Sequence, residues 1–108
     1  MTSSVEFTVR LIPHYSTPKP GVTVTMTNCK SGQQAPIRLV RRFGTLGSLR
    51  AKPGKLVWSL ESIPAKPATR KLRLRLAVPA GVRKFCLHTS MYDKFTKTTV
   101  NTNNTVPV

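Results

Sequence analysis

The chain has 108 residues, enough for one domain with a thin core and no more. Eighteen Lys and Arg stand against three acids, Glu6, Glu61 and Asp93, giving a formal net charge of +15, while 39% of the residues are apolar. That apolar content excludes a disordered basic tail, and three acids leave little material for acid–base pairs or a magnesium site.

Apolar residues recur at every second position in several segments, and Pro, Gly and Ser punctuate them. This is the pattern of strands joined by turns. Val5, Phe7, Val9 and Leu11 alternate with Glu6, Thr8 and Arg10. Pro13 to Gly21 reads as a loop. Val22, Val24 and Met26 alternate with Thr23, Thr25 and Thr27, and β-branched threonines favour a strand over a helix. Cys29 to Pro36 reads as a polar turn, and Ile37 to Phe43 as a third strand with Arg38, Val40 and Arg42 on one side. Gly44 to Gly54 reads as a loop or irregular edge.

Leu56, Trp58 and Leu60 form the next inward row, with Lys55, Val57, Ser59 and Glu61 facing away. After a turn at Pro64 to Ala68, Leu72, Leu74, Leu76 and Val78 alternate with Lys71, Arg73 and Arg75. Pro79 and Gly81 end that strand. Phe85, Leu87, Thr89 and Met91 then alternate with Cys86, His88, Ser90 and Tyr92. Residues 1–95 therefore read as a single β domain, and 96–108 as a polar edge strand or tail. The expected fold is all-β or mainly β: an antiparallel sheet of about six strands with little or no helix, completed by a partner subunit.

A folded domain with this excess of charge repels itself, and a polyanion relieves the repulsion. The segment from Arg38 to Lys84 holds thirteen basic residues and one acid, so the charge lies within strand-like segments and not in a juxtamembrane cluster. Nucleic acid is thus favoured over an anionic membrane surface. Lys71, Arg73 and Arg75 point the same way on a regular strand, opposite the leucines, and form a basic stripe. A merely solvated face would intersperse acids among three such cations. His88 and Tyr92 share one face of the following strand. Beside the stripe, Tyr92 would offer a ring for stacking an unpaired base while the cations meet phosphates; equally, it packs at a sheet edge with its hydroxyl in water. Lys55 and Ser59 extend the same surface from the preceding strand, and Arg38 and Arg42 join it or hold phosphates elsewhere. Of the aromatics Phe7, Tyr15, Phe43, Trp58, Phe85, Tyr92 and Phe95, most fall in core rows, which disfavours a platform of several stacking rings.

Cys29 and Cys86 stand far apart with no C-x-x-C pair, which argues against a zinc or redox motif. They read as ordinary small apolar residues, with a bridge as the alternative. His14 and His88 lack the context of a triad or metal pair. No cofactor, metal or catalytic residue is expected. No N-terminal apolar run resembles a signal peptide and no stretch is long enough to span a membrane, so the sequence points to a cytoplasmic origin without membrane contact.

The segment KLVWSLESIPAKPATRKLRLRLAVP, followed by CLHTSMYD, resembles the central strands of single-stranded RNA bacteriophage (levivirus-type) coat proteins over residues 55–93. The resemblance implies a homodimer with one continuous antiparallel sheet, one face of which lines an icosahedral shell and binds an RNA hairpin. It places Lys71, Arg73 and Arg75 at the family's RNA contacts, Ser59 on the neighbouring strand, and Tyr92 at the tyrosine that stacks on a loop base. Ala80 to Lys84 correspond to a shortened loop at the capsid symmetry axes. Lys94 to Val108 has no counterpart of the family's two C-terminal helices. The expected function is a viral coat protein in the virion, assembled in a host cytoplasm, that packages single-stranded RNA through a basic sheet face formed by Lys55, Ser59, Lys71, Arg73, Arg75, His88 and Tyr92. The alternative is a small, non-assembling β-barrel that binds single-stranded nucleic acid or a ribosome. A nuclease ranks last.

Overall fold

The computed structural model describes residues 3–29, 37–44, 46–52, 54–78 and 81–108. The chain is all-β, as its alternation dictates. Strands β1 (Ser3–Leu11), β2 (Lys19–Asn28), β3 (Arg38–Phe43), β4 (Ser48–Lys52), β5 (Lys55–Ile63), β6 (Arg70–Val78), β7 (Lys84–Asp93) and β8 (Thr98–Pro107) follow one another, with no helix among the described residues. They form two antiparallel sheets, one in the order β1-β6-β3 and the other in the order β4-β5-β2-β7-β8.

Each strand sends alternate side chains to opposite faces. The inward rows of the two sheets meet in a single core. From the smaller sheet come Val5, Phe7, Leu72, Leu74, Leu76 and Val78; from the larger come Val22, Val24, Met26, Leu56, Trp58 and Leu87. The Phe7 and Phe85 rings meet across the layer with centroids 5.9 Å apart. Complete burial of one such side chain stabilises by about 1.5–3 kcal/mol, and a dozen of them make the core the dominant favourable term.

Two local features close the layer. At Gly21 the backbone of β2 passes so near Leu60 and Glu61 that a Cβ would overlap the Leu60 carbonyl oxygen. On the other side of β5, Gly47 (φ 74°) turns the chain over the Trp58 ring. There the Trp58 Nε1–H donates to the Leu46 carbonyl at 2.9 Å, which satisfies the indole's polar atom while its body fills the core.

Several expectations are corrected. There are eight strands and not about six, in two sheets and not one. Each sheet covers the other's apolar face. Of the loop or irregular edge expected at Gly44 to Gly54, the edge is present: β4 pairs along β5 from Ser48↔Ser59 to Lys52↔Lys55 at one end of the larger sheet. Of the two alternatives for 96–108, the edge strand is the one present: residues 98–107 form β8, paired with β7 along ten rungs at the end of the sheet. The expected turn at Cys29 to Pro36 falls largely on residues 30–36, which lie outside the described residues, as do Pro79 and Ala80.

Cys29 and Cys86 are not separate apolar residues. They face each other at the ends of β2 and β7 and form a disulfide, with Cα atoms 5.4 Å apart. The Cys29 N–H donates to the Cys86 carbonyl at 3.2 Å, which extends the β2–β7 ladder by one rung. The bridge joins positions 57 residues apart and so restricts the unfolded chain strongly. Reduction, or the double substitution Cys29→Ala and Cys86→Ala, is expected to lower unfolding stability by about 2–4 kcal/mol. Denaturant titration of oxidised and reduced protein measures this, and coincident midpoints would show that the bridge contributes nothing.

Candidate nucleic-acid interface

The sandwich has two outer faces, and the expected interface is divided between them. Lys71, Arg73 and Arg75 lie on the outer face of the three-stranded sheet, opposite the buried leucines of β6. Lys55, Ser59, His88 and Tyr92 lie on the outer face of the five-stranded sheet. The reason is topological. β6 sits between β1 and β3, so neither β5 nor β7 lies beside it, and β2 separates those two strands from each other. The stripe therefore has no neighbouring Tyr92, and the one-sheet neighbourhood implied by the phage-coat resemblance is absent.

On the larger sheet, the rungs place Ser59, Thr23, Tyr92 and Thr99 side by side, and Lys55, Thr27, His88 and Asn103 four residues further along. His88 Nδ1 and Asn103 Oδ1 lie 2.6 Å apart. Tyr92 is exposed. Arg50, Lys52 and Lys55 gather on β4 and the start of β5, and Lys84 stands on the same face at the start of β7. The outward positions of β2, β7 and β8 are mainly Thr, Ser and Asn. An open depression of about 860 Å³ lies over β4 and β5, bordered by Arg50, Lys52, Ser59, Glu61 and Arg70.

The smaller sheet carries a denser array. Besides Lys71, Arg73 and Arg75, its outer face receives Arg10 opposite Lys71 on β1, and Arg38 and Arg41 opposite Ala77 and Arg75 on β3. A register shift between Leu39 and Arg41 determines which arginines of β3 point outward. Regular alternation would have put Arg38, Val40 and Arg42 together. The bulge instead leaves Val40 exposed, turns Arg41 and Phe43 outward, and turns Arg42 inward opposite Leu74. Arg42 then donates from Nη2 to the carbonyls of Leu46 and Gly47. It clamps the same turn that Trp58 holds and is not part of the basic face.

The guanidiniums of this face are ordered by two neighbours. Arg73 and Arg41 lie over the Phe43 ring, 4.3 and 4.7 Å from its centroid, and Arg75 lies 5.9 Å away. Such cation–π contacts draw the guanidiniums toward the ring. Glu6 on β1 reaches across to β6. Its Oε2 accepts from Arg73 Nε at 3.2 Å and Nη2 at 2.8 Å, and its Oε1 from Arg75 Nη2 at 2.6 Å. These are the only ion pairs among the described residues. Hydrogen bonds from Arg75 and then Arg73 hold the Glu6 carboxyl below its ordinary value.

Four of the seven aromatic side chains lie outside the core, Tyr92 and three others. Phe43 is half-buried beneath the arginines, and Tyr15 and Phe95 are exposed. The latter two rings meet edge to face at 5.3 Å, with Lys19 Nζ 5.3 Å from one centroid and 4.6 Å from the other. Only Phe7, Trp58 and Phe85 are buried aromatics. Sequence reasoning missed Arg41 and Phe43 because a bulge leaves no mark in an apolar-polar pattern. Among the described residues no three His, Cys, Asp or Glu side chains gather where they could hold a metal ion, and no helix is long and apolar enough to cross a membrane.

Comparison with known proteins finds no family model, curated protein or solved structure that matches the chain.

The depressed Glu6 carboxyl gives a pH test. Its ordinary value is 4.5, and the folded value is lower. The ion pairs therefore stabilise fully above the ordinary value, and the contribution is lost as pH falls through the lowered one. The wild-type protein is expected to melt above Glu6→Gln at neutral pH, and the two melting temperatures should converge in acid. A difference that stays constant across the pH range would contradict the pairing.

Proposed function

We propose that this chain is a viral coat subunit that self-assembles and packages single-stranded RNA, holding the RNA on the outer face of its three-stranded sheet. The observation that carries the reading is the asymmetry of the sandwich. One outer face presents Arg10, Arg38, Arg41, Lys71, Arg73 and Arg75 against the single acid Glu6. The other, over β2, β7 and β8, is dominated by hydroxyls and amides. A wall that separates a polyanion from solvent needs two such faces.

The binding term is electrostatic. Cations spaced along adjacent strands match a flexible phosphate backbone, and release of the counterions condensed on it supplies affinity without reading sequence. A protein of formal charge +15 gains further because the polyanion relieves its self-repulsion. Nothing in this mechanism requires a bond to be made or broken.

The edges of the sheets support assembly. β4 is short and carries Arg50 and Lys52, and β3 is bulged and carries Arg38 and Arg41; both features discourage edge-to-edge pairing. β8 differs: it is ten residues long, has no charged side chain, and has neither bulge nor Pro before its last position. An edge of that kind is suited to pairing with another copy. The disulfide fits an oxidising setting, so a shell assembled in a reducing cytoplasm would carry the pair as thiols until release.

A second reading keeps RNA binding and removes assembly. It draws on the exposed Tyr15–Phe95 pair under Lys19, which offers a small stacking surface of the kind used by single-strand-binding proteins.

Electron microscopy of the purified protein, with absorbance at 260 and 280 nm on the same sample, distinguishes the two. Closed uniform particles containing nucleic acid are expected. Small species that retain nucleic acid without particles would favour the second reading, and protein free of nucleic acid would contradict both. Arg73→Ala with Arg75→Ala is expected to weaken RNA binding at every sequence and to reduce the salt slope by about 1–2. The fold should survive, because both side chains are exposed. Parental binding at all salt concentrations would remove the stripe from the interface.

A further inference from the structure

The contacts of Glu6 have the form of a bound ligand. Two guanidiniums two residues apart on β6 converge on a single group from β1, and each takes one of its oxygens. A phosphodiester presents the same feature, two non-bridging oxygens sharing one negative charge, and arginine forks suit it as they suit a carboxylate. The arginines are held in place by something other than Glu6, because Phe43 and β3 support them from the other side. The Glu6 side chain is one-third exposed and has no further side-chain hydrogen bond among the described residues, so it is free to swing into solvent. Removing Glu6 leaves a preorganised cationic cluster of Arg41, Arg73 and Arg75 around the Phe43 ring.

From this geometry we infer a phosphodiester-binding subsite at Arg73 and Arg75, beside the Phe43 ring, in which the Glu6 carboxylate stands in for the phosphate and must be displaced before a nucleic acid binds. The proposal deepens the reading of this face as the RNA-binding face and rests on it.

Displacement sets a selectivity. A lone phosphate gains at this subsite what Glu6 loses and has little advantage over a carboxylate tethered beside the arginines at high effective concentration. A strand that also engages Lys71, Arg10 and Arg38 brings many phosphates at once, and its additional contacts offset the loss of the internal pair. The subsite thus favours polyanions over small anions. The empty protein is also protected, since Glu6 neutralises part of the most repulsive cluster on its surface.

The test compares Glu6→Gln with Glu61→Gln. Each removes one of three acids and takes the formal charge from +15 to +16, but Glu61 lies on the other sheet and makes no ion pair among the described residues. Thermal melts confirm that both variants fold. Binding of a fluorescent single-stranded oligoribonucleotide is followed by anisotropy at several salt concentrations. Glu6→Gln is expected to bind about three- to ten-fold more tightly than wild type, with a salt slope steeper by about 1, because cations previously paired internally now meet phosphate. Glu61→Gln should remain within about two-fold of wild type, as expected for one remote charge screened over a Debye length. Equal gains in both variants would reduce the effect to net charge and overturn the subsite.

If none of the proteins binds the oligoribonucleotide, the RNA reading fails and the subsite is judged separately. Sodium tripolyphosphate is then titrated while the Arg Nε–Hε resonances are observed by NMR. Shifts at Arg73 and Arg75 at lower concentration in Glu6→Gln than in Glu61→Gln uphold the subsite. Indistinguishable titrations overturn it.

Discussion

Sixteen apolar side chains from both sheets meet in one core, and no polar or charged side chain among the described residues is buried with them. The period of two in a strand then decides everything placed outside. Every residue between two core positions must face solvent, so a chain with so many cations and so few acids has to display its charge on the two outer faces. Burying even one unpaired cation would cost more than most core contacts return, and the one arginine that turns inward, Arg42, does so at the sandwich edge where two backbone carbonyls receive it.

The two outer faces then diverge. On the smaller sheet, three strands bring Arg10, Arg41, Lys71, Arg73 and Arg75 within a few rungs of each other, and Glu6 is the only acid at hand. On the larger sheet Arg50, Lys52 and Lys55 cluster on β4 and the start of β5, Lys84 stands at the start of β7, and the middle of β2, β7 and β8 carries mainly Thr, Ser and Asn beside His88 and Tyr92. In the proposed reading the first face would meet phosphate, and the second face and the uncharged edge of β8 would be left for contact between copies. Glu6 connects stability to binding: the pair that quiets repulsion in the empty protein is the one a phosphate backbone would replace.

The strands and their faces were legible in the sequence because alternation records directly which side of a strand is buried. Leu72, Leu74 and Leu76 inward with Lys71, Arg73 and Arg75 outward, and Leu56, Trp58 and Leu60 inward with Lys55 and Ser59 outward, stand as the pattern implies. The partition into sheets was not legible. Alternation assigns a strand to a face but not to a neighbour, and β6 joins β1 and β3 through contacts thirty or more residues distant in sequence. The expected interface was therefore divided although each of its residues does face outward. The bulge at Val40 reversed the roles of Arg41 and Arg42 without altering composition. The Cys29–Cys86 bridge depends on the register of β2 against β7, which two isolated cysteines do not reveal.

Which outer face meets RNA is the central claim, and ultraviolet crosslinking of bound single-stranded RNA with mass-spectrometric mapping of the adducts tests it most directly. The account predicts adducts on peptides from β3 and β6, centred on Phe43 and Lys71. Adducts confined to β5 and β7, at Lys55, His88 or Tyr92, would contradict it and move the interface to the opposite face of the sandwich.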